Sequence, residues 1–347
     1  MIKQYVPVMK AEYAQKVAKQ IESGWVGCGE AVSKFERTIR QQILEDNNMH
    51  VVSTTSGTNA LILGLLSLDL PRGSTILFPA YTFLAGANAA KFLGFKIRLV
   101  DIKMDTLCMN PDKIVVSPDV SAIIFVNHNG YDGIDLQCVR QICDTYNIPM
   151  IEDCCQGFGI PNIGKTGDIA AFSFSVPKIL TTGQGGCSIT KDYKKAERME
   201  EIRDHGDNWR TTKIHTKLGI NLKFNDVSAS LGQAQLDNFD EIKTIRKNIW
   251  NWYSNEIDIY RFGLDFTWMV CYLAKNPEKV ISTLHLKEIQ ATRYYKPICQ
   301  NIPYKTDEKY PIADFIAEHL LYLPSSHNLT KKDVKSICSI IKETENE

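Results

Sequence analysis

The sequence predicts an α/β fold built on a mostly parallel sheet, and three observations carry that expectation. Between residues 50 and 190, short apolar runs alternate with longer stretches of helical spacing. That rhythm implies crossover units and a sheet covered on both faces. The chain has 347 residues, 44% hydrophobic and 23% charged, which suits one large domain with a smaller companion. Its forty basic and forty acidic residues cancel. This balance argues against a nucleic-acid-binding surface as the main task, while leaving room for a local basic groove.

The elements follow in order. Two helical patterns, Glu12–Glu22 and Val32–Leu44, flank a break at 23–29 whose three glycines mark a tight, irregular loop. Seven strands are predicted at His50–Ser53, Thr75–Phe78, Ile97–Val100, Ala122–Asn127, Pro149–Glu152, Ile169–Phe174 and Gly186–Thr190, each a short apolar run bounded by turn residues. Helical spacing recurs between them at Thr58–Leu68, Phe83–Phe92 and Leu136–Tyr146. Beyond residue 190 come a charged amphipathic segment, Tyr193–Arg203, and one long helical pattern from Asp226 to about Glu256. The remainder, with Tyr272–Ala274, Ile289–Tyr295 and a final helix Lys331–Lys342, reads as a smaller α/β unit. The expected division is a large domain over 1–235 and a small C-terminal domain over 236–347.

No run is apolar and long enough to span a bilayer, and the first residues lack the apolar region of a secretory signal, so a cytoplasmic protein is expected. The ten cysteines show no C-x-x-C spacing and the seven histidines no zinc-binding pattern. Reduced thiols filling core positions, and no metal, are the expectation.

In a parallel α/β sheet, ligands sit beyond the carboxyl ends of the strands. After the first strand, Thr54–Leu61 places hydroxyls and a glycine at a helix start, which reads either as ordinary capping or as a phosphate cradle. The second strand leads into Pro79-Ala80-Tyr81-Thr82-Phe83, whose aromatics fit the core or a stacking role. Glu152 and Asp153 end the fifth strand, in a solvated turn or as a buried acid needing a partner. The sixth strand precedes Lys178 and the turn Thr182-Gly183-Gln184-Gly185-Gly186, a position where desolvation would make a lysine amine nucleophilic. One sheet edge thus collects a phosphate cradle, a flat aromatic, an acid and a lysine. Pyridoxal phosphate needs those four: donors for its phosphate, a face for its ring, an acid for its pyridine nitrogen and an amine for its aldehyde.

These motifs, with Ser23-Gly24-Trp25, Phe35-Glu36, Ile151-Glu152-Asp153 and Gln156, Phe172-Ser173-Phe174, His205-Gly206, Gly219-Ile220-Asn221 and Tyr295-Lys296-Pro297, resemble the DegT/StrS group of pyridoxal-phosphate-dependent sugar-nucleotide aminotransferases. The resemblance runs from about residue 24 to 324. It implies the aspartate-aminotransferase-type architecture (fold type I). It also implies roles: Lys178 carries the cofactor and shuttles the proton, Asp153 partners the ring nitrogen, and Gln156 lies by the ring hydroxyl. Phe83 stacks on the ring, and Gly57, Thr58 and Ser173 hold the phosphate. Asn221 reaches the phosphate of a second subunit, so the resemblance implies a homodimer with composite sites.

The implied reaction moves an amino group from glutamate, through pyridoxamine phosphate, to a nucleotide-linked keto-sugar. The expected acceptor is the 4-keto group of a 4-keto-6-deoxyhexose, giving a viosamine- or perosamine-type product; a 3-amino sugar is the alternative. Sugar 3-dehydration replaces the lysine with histidine, and a regulatory, non-catalytic relative would lose the acid or the lysine. The presence of Lys178 and Asp153 speaks against both. One departure stands out, since Cys299 occupies a place where the group often has histidine.

Overall fold

All seven expected strands form, and they join in one sheet. They are β1 (His50–Thr54), β2 (Thr75–Pro79), β3 (Lys96–Val100), β4 (Val120–Val126), β5 (Met150–Asp153), β6 (Ile169–Ser173) and β7 (Gly186–Thr190), in the spatial order β1-β7-β6-β5-β4-β2-β3. The computed structural model describes residues 1–206 and 213–346. Strands β3, β2, β4, β5 and β6 pair in parallel, while β7 runs antiparallel to both β6 and β1. The segment between β6 and β7 contains no helix. A parallel return needs a crossover, so β7 comes back antiparallel.

Strand composition follows from burial on both faces. In β2, Ile76 and Phe78 belong to the main apolar core, whereas Leu77 faces a second cluster with Phe125, Leu136, Val139 and Met150. Helix α3 (Gly57–Leu66) is apolar nearly all round because it lies between the sheet and the helices outside it. Helices α4 (Ala85–Phe92) and α5 (Ile134–Tyr146) complete the crossovers, and α5 ends at Asn147 in the left-handed conformation, φ 50°. Helix α6 (Tyr193–Arg203) follows β7 over the predicted range.

Ahead of the sheet lie α1 (Ala11–Glu22) and α2 (Glu30–Thr38), the latter continued by a widened turn over Ile39–Ile43. The Leu44 N–H reaches the Ile39 carbonyl at 3.0 Å, and the wider turn lets both side chains be buried. The glycine-rich break at 23–29 is pinned by Asp226, whose carboxylate accepts from the N–H groups of Gly29 (2.8 Å) and Val32 (3.0 Å).

The long pattern from Asp226 is two helices rather than one, α7 (Asp226–Leu236) and α8 (Phe239–Ser254). No glycine or proline marks the break. Asn238 leaves helical backbone space, Asp237 pairs with Lys16, and Phe239 turns inward to meet Phe158 edge-on at 5.6 Å. Tertiary contacts therefore override a continuous local pattern. The C-terminal unit holds the two-stranded antiparallel sheet β8 (Cys271–Leu273) and β9 (Leu320–Tyr322), with α9 (Pro277–Leu286), α10 (Pro311–His319) and α11 (Lys331–Asn346). Residues 289–295 make only isolated bridges, Ile289 to Ile2 and Thr292 to Tyr322. All ten cysteines are free thiols. Among the described residues, no helix is long and apolar enough to cross a membrane.

Candidate active site

A cavity of about 390 Å³ opens at the carboxyl ends of β1, β5 and β6. Gly57, Thr58, Phe83, Asp153, Gln156, Ser173 and Lys178, seven of the eight site residues expected from sequence, line it. These residues are far apart in the chain, and the topology converges them because each follows a strand that ends at the same edge.

Gly57 and Thr58 open α3. Ser56 caps the helix, its hydroxyl accepting from the Asn59 N–H at 3.1 Å. The first N–H groups of a helix have no carbonyl one turn earlier to bond, so those of Gly57 and Thr58 remain donors for an anion. Gly57 is required by close approach: a Cβ there would stand 2.6 Å from the Ser173 Cβ and 2.9 Å from the Cys155 sulfur. The capping and cradle readings are therefore compatible, because Ser56 caps while its neighbours face the cavity.

Asp153 is buried at the end of β5, where its carboxylate accepts from the Cys155 N–H at 3.1 Å. Burial raises its pKa, opposed by the hydrogen bonds from Cys155 and then by the nearby Lys178 amine. Strand alternation sends Glu152 to the opposite face. Glu152 does not lie in a solvated turn. It is fully buried and accepts from the N–H groups of Thr166 (2.7 Å), Gly167 and Gly164 (3.3 Å). It is a structural clasp for the turn before β6.

Lys178 follows β6 on a short turn, its N–H donating to the Ser175 carbonyl at 3.0 Å. Burial lowers the pKa of its amine, while the charges of Cys155 and Asp153 oppose that shift. Two residues absent from the sequence-based site hold this turn. The Tyr5 hydroxyl donates to the Lys178 carbonyl, and the Trp268 indole N–H donates to the Pro177 carbonyl at 2.5 Å. Tyr5 and Trp268 carry no local signal, since each lies far from Lys178 in sequence.

Gln156 is buried, its side-chain oxygen accepting from the Asn129 N–H at 2.8 Å. Phe83 stands at the mouth, 61% exposed, with its ring 6.3 Å from that of Tyr295. Asn221, the eighth expected residue, lies outside this cavity on an exposed bridge with Asp204. Behind the aromatic wall, buried His128 bonds the Tyr322 hydroxyl at 2.9 Å, and burial lowers its pKa to about 3, so it is neutral.

The residues fit pyridoxal phosphate. Its phosphate would meet the start of α3 and the Ser173 hydroxyl, and its ring nitrogen would meet Asp153, a buried acid with no ion pair among the described residues. A buried carboxylate is costly unless a cation faces it, and a protonated pyridine is such a cation.

Comparison with known proteins agrees. A family model described as the DegT/DnrJ/EryC1/StrS aminotransferase family matches residues 7–342. The chain is 28% identical to the GDP-perosamine synthase of Escherichia coli O157:H7, over 98% of this chain and 97% of that one. It is 26% identical to the UDP-N-acetyl-3-dehydro-alpha-D-glucosamine 3-aminotransferase of Acidithiobacillus ferrooxidans, over 85% and 84% of the two chains. In three dimensions it resembles the aminotransferase TlmJ of Streptoalloteichus hindustanus, with a TM-score of 0.91 at 24% identity over 99% and 98%.

Proposed function

We propose, from the premise that this chain belongs to the DegT/DnrJ/EryC1/StrS aminotransferase family, that it transfers an amino group from glutamate to the 4-keto group of a nucleotide-linked 4-keto-6-deoxyhexose. The chain is a sugar-nucleotide aminotransferase, and its cofactor is pyridoxal phosphate. The observation that carries the finer reading is the full-length similarity to GDP-perosamine synthase, joined to the convergence of Lys178 and Asp153 on one cavity. When bound, the cofactor supplies an electron sink and carries the amino group between donor and acceptor.

The chain's own residues divide the remaining work. The N–H groups of Gly57 and Thr58 and the hydroxyl of Ser173 hold the phosphate, and Gln156 and Phe83 fix the ring. Asp153 holds the proton on the ring nitrogen, which its buried position suits because a carboxylate there gains most from a facing cation. Lys178 provides the amine that takes and returns a proton at the reacting carbon, and burial lowers the pKa of that amine, which eases release of its proton. In this reading Asn221 serves the site of a partner copy in a homodimer, and the enzyme works in the cytoplasm.

The test is to incubate the protein with glutamate and a panel of 3-keto and 4-keto sugar nucleotides and identify products by mass and NMR. A 4-amino-4,6-dideoxyhexose nucleotide is the expected product. Turnover of 3-keto substrates alone would overturn the 4-position and favour the second reading, which the similarity to the Acidithiobacillus 3-aminotransferase motivates. Borohydride should fix the cofactor to the peptide carrying Lys178; fixation at Lys165 or Lys191 would overturn the site.

A further inference from the structure

The lysine that handles the proton cannot stay bonded to the cofactor throughout a transfer cycle. Once released, its amine needs a place to rest that keeps it close, lets it hold a proton and does not trap it. The surroundings of Lys178 supply one. The amine nitrogen lies 4.2 Å from the centroid of the Trp268 ring. That distance is within the range in which an aromatic face attracts an ammonium. Trp268 is itself held from several sides. Its N–H bonds the Pro177 carbonyl, its ring stacks on Tyr294 at 6.0 Å and 26°, and its own carbonyl and that of Thr267 accept from the buried Arg246 guanidinium. The ring therefore stands as a fixed surface.

We infer that Trp268 is a positioning residue for Lys178: its ring face receives the ammonium whenever the amine is free, and its indole N–H fixes the turn that carries the lysine. This inference rests on the reading of Lys178 given above. An aromatic face suits the task better than an acid. A buried carboxylate would hold the ammonium as a strong ion pair and resist giving up its proton, whereas a ring stabilises the charge weakly and releases it. Among the described residues, the carboxylate that acts on the amine is Asp153, and it serves the ring nitrogen.

The amine's protonation has several neighbours to answer to. The Asp153 carboxylate and the Cys155 thiol act on it from the end of β5. Tyr5 meets the Lys178 carbonyl rather than the amine. Tyr294 and Tyr295 line the same cavity, and Arg246 lies against the Trp268 backbone. Fluorination of the ring keeps the indole N–H bond to Pro177 and the stacking on Tyr294 in place, so a shift in the amine's titration across a fluorinated series reports the ring face.

The experiment uses the full chain freed of cofactor. Lys178 is labelled with an amine-specific acylating reagent across a pH series, and its reactivity is read by peptide mass spectrometry. The midpoint should fall in the order Trp, Phe, Leu at position 268, with Trp268→Leu about one pH unit below wild type. Replacing the five tryptophans of the chain with 5-fluoro and then 5,7-difluoro analogues withdraws charge from the ring face while keeping shape and N–H, so it tests the contact even if Trp268→Leu does not fold. A graded fall in midpoint across that series is expected. An unchanged midpoint in the fluorinated proteins would overturn the inference. The two readings fail separately: borohydride fixation at another lysine sinks the functional reading, whereas fixation at Lys178 with an invariant midpoint sinks only the role of Trp268.

Discussion

Glu152 and Asp153 are neighbours of the same charge, and replacing each with its amide should produce opposite phenotypes. Glu152→Gln keeps the side chain's shape on the face away from the cavity. One glutamine oxygen can replace Oε1 and keep the N–H groups of Thr166 and Gly167. The amide nitrogen then points at the Gly164 N–H, which formerly donated to Oε2 at 3.3 Å. The change loses the charge that strengthens these bonds and sets donor against donor in a fully buried place, at about 2 kcal/mol. For a chain of this size that is a fall in Tm of about 3 °C, with turnover per folded molecule preserved. Burial partly offsets this, because it raises the Glu152 pKa and already disfavours the charged form. Asp153→Asn should leave Tm nearly unchanged, since the hydrogen bond that its carboxylate accepts from the Cys155 N–H can be kept by the amide oxygen. Its turnover should fall by several orders of magnitude, as losing a buried charge partner costs several kcal/mol. Differential scanning calorimetry and single-turnover kinetics on both variants decide the matter. Equal loss of turnover in both, with no change in Tm for Glu152→Gln, would refute the division of labour.

Three further outcomes are expected. Gly57→Ala forces a methyl against Ser173 and Cys155, so cofactor affinity measured by absorbance titration should drop at least about tenfold as the start of α3 shifts. His128 has a folded pKa near 3 against 6.5 unfolded; the unfolded chain takes the proton first, so its stabilising effect is complete above 6.5 and is lost by about 1.4 kcal/mol per pH unit as pH falls towards 3. Chemical denaturation from pH 7 to 4 should be steeper in wild type than in His128→Gln by that slope, the buried His327 contributing alike to both, and parallel curves would contradict it. Co-refolding Lys178→Ala with Asn221→Ala should give activity well above either parent, because one site of each heterodimer would be intact, whereas no rescue in verified heterodimers would remove Asn221 from the site.

The sheet was legible because its strands are apolar on both faces, so each appears as a short run with little ambiguity. Its observed boundaries differ by a residue or two, as at β4, which begins at Val120 rather than Ala122. Less legible were features decided across the fold. The break at Asp237–Asn238 depends on Lys16 and Phe158, which lie far away in sequence. The three-residue strands β8 and β9 are too short to leave a periodic signature. The direction of β7 was readable in principle, since a connection without a helix cannot make a parallel crossover, but that constraint belongs to topology rather than to the strand's own residues.

The site divides along the same line. Residues that follow strands declared themselves, because the sheet brings strand ends together and leaves only a few positions where a phosphate cradle, an acid and a lysine can meet. Residues that support them did not: Tyr5 and Trp268 reach Lys178 from opposite ends of the chain, and nothing in a tyrosine at position 5 points to a carbonyl 173 residues later. Substrate identity is a stronger case of the same problem. Among the described residues lining the cavity, Lys178 is the one basic side chain, and its part in proton transfer makes it a poor fixed anchor for anions. The proposed glutamate donor and nucleotide-linked sugar would both bring negative charge that calls for charge-assisted partners. In the proposed homodimer, a second copy presenting its Asn221 segment would be one source of such partners. In that homodimer the chemistry is encoded at the strand ends of one chain and the selectivity draws on the partner's surface, and the heterodimer rescue probes that dependence directly.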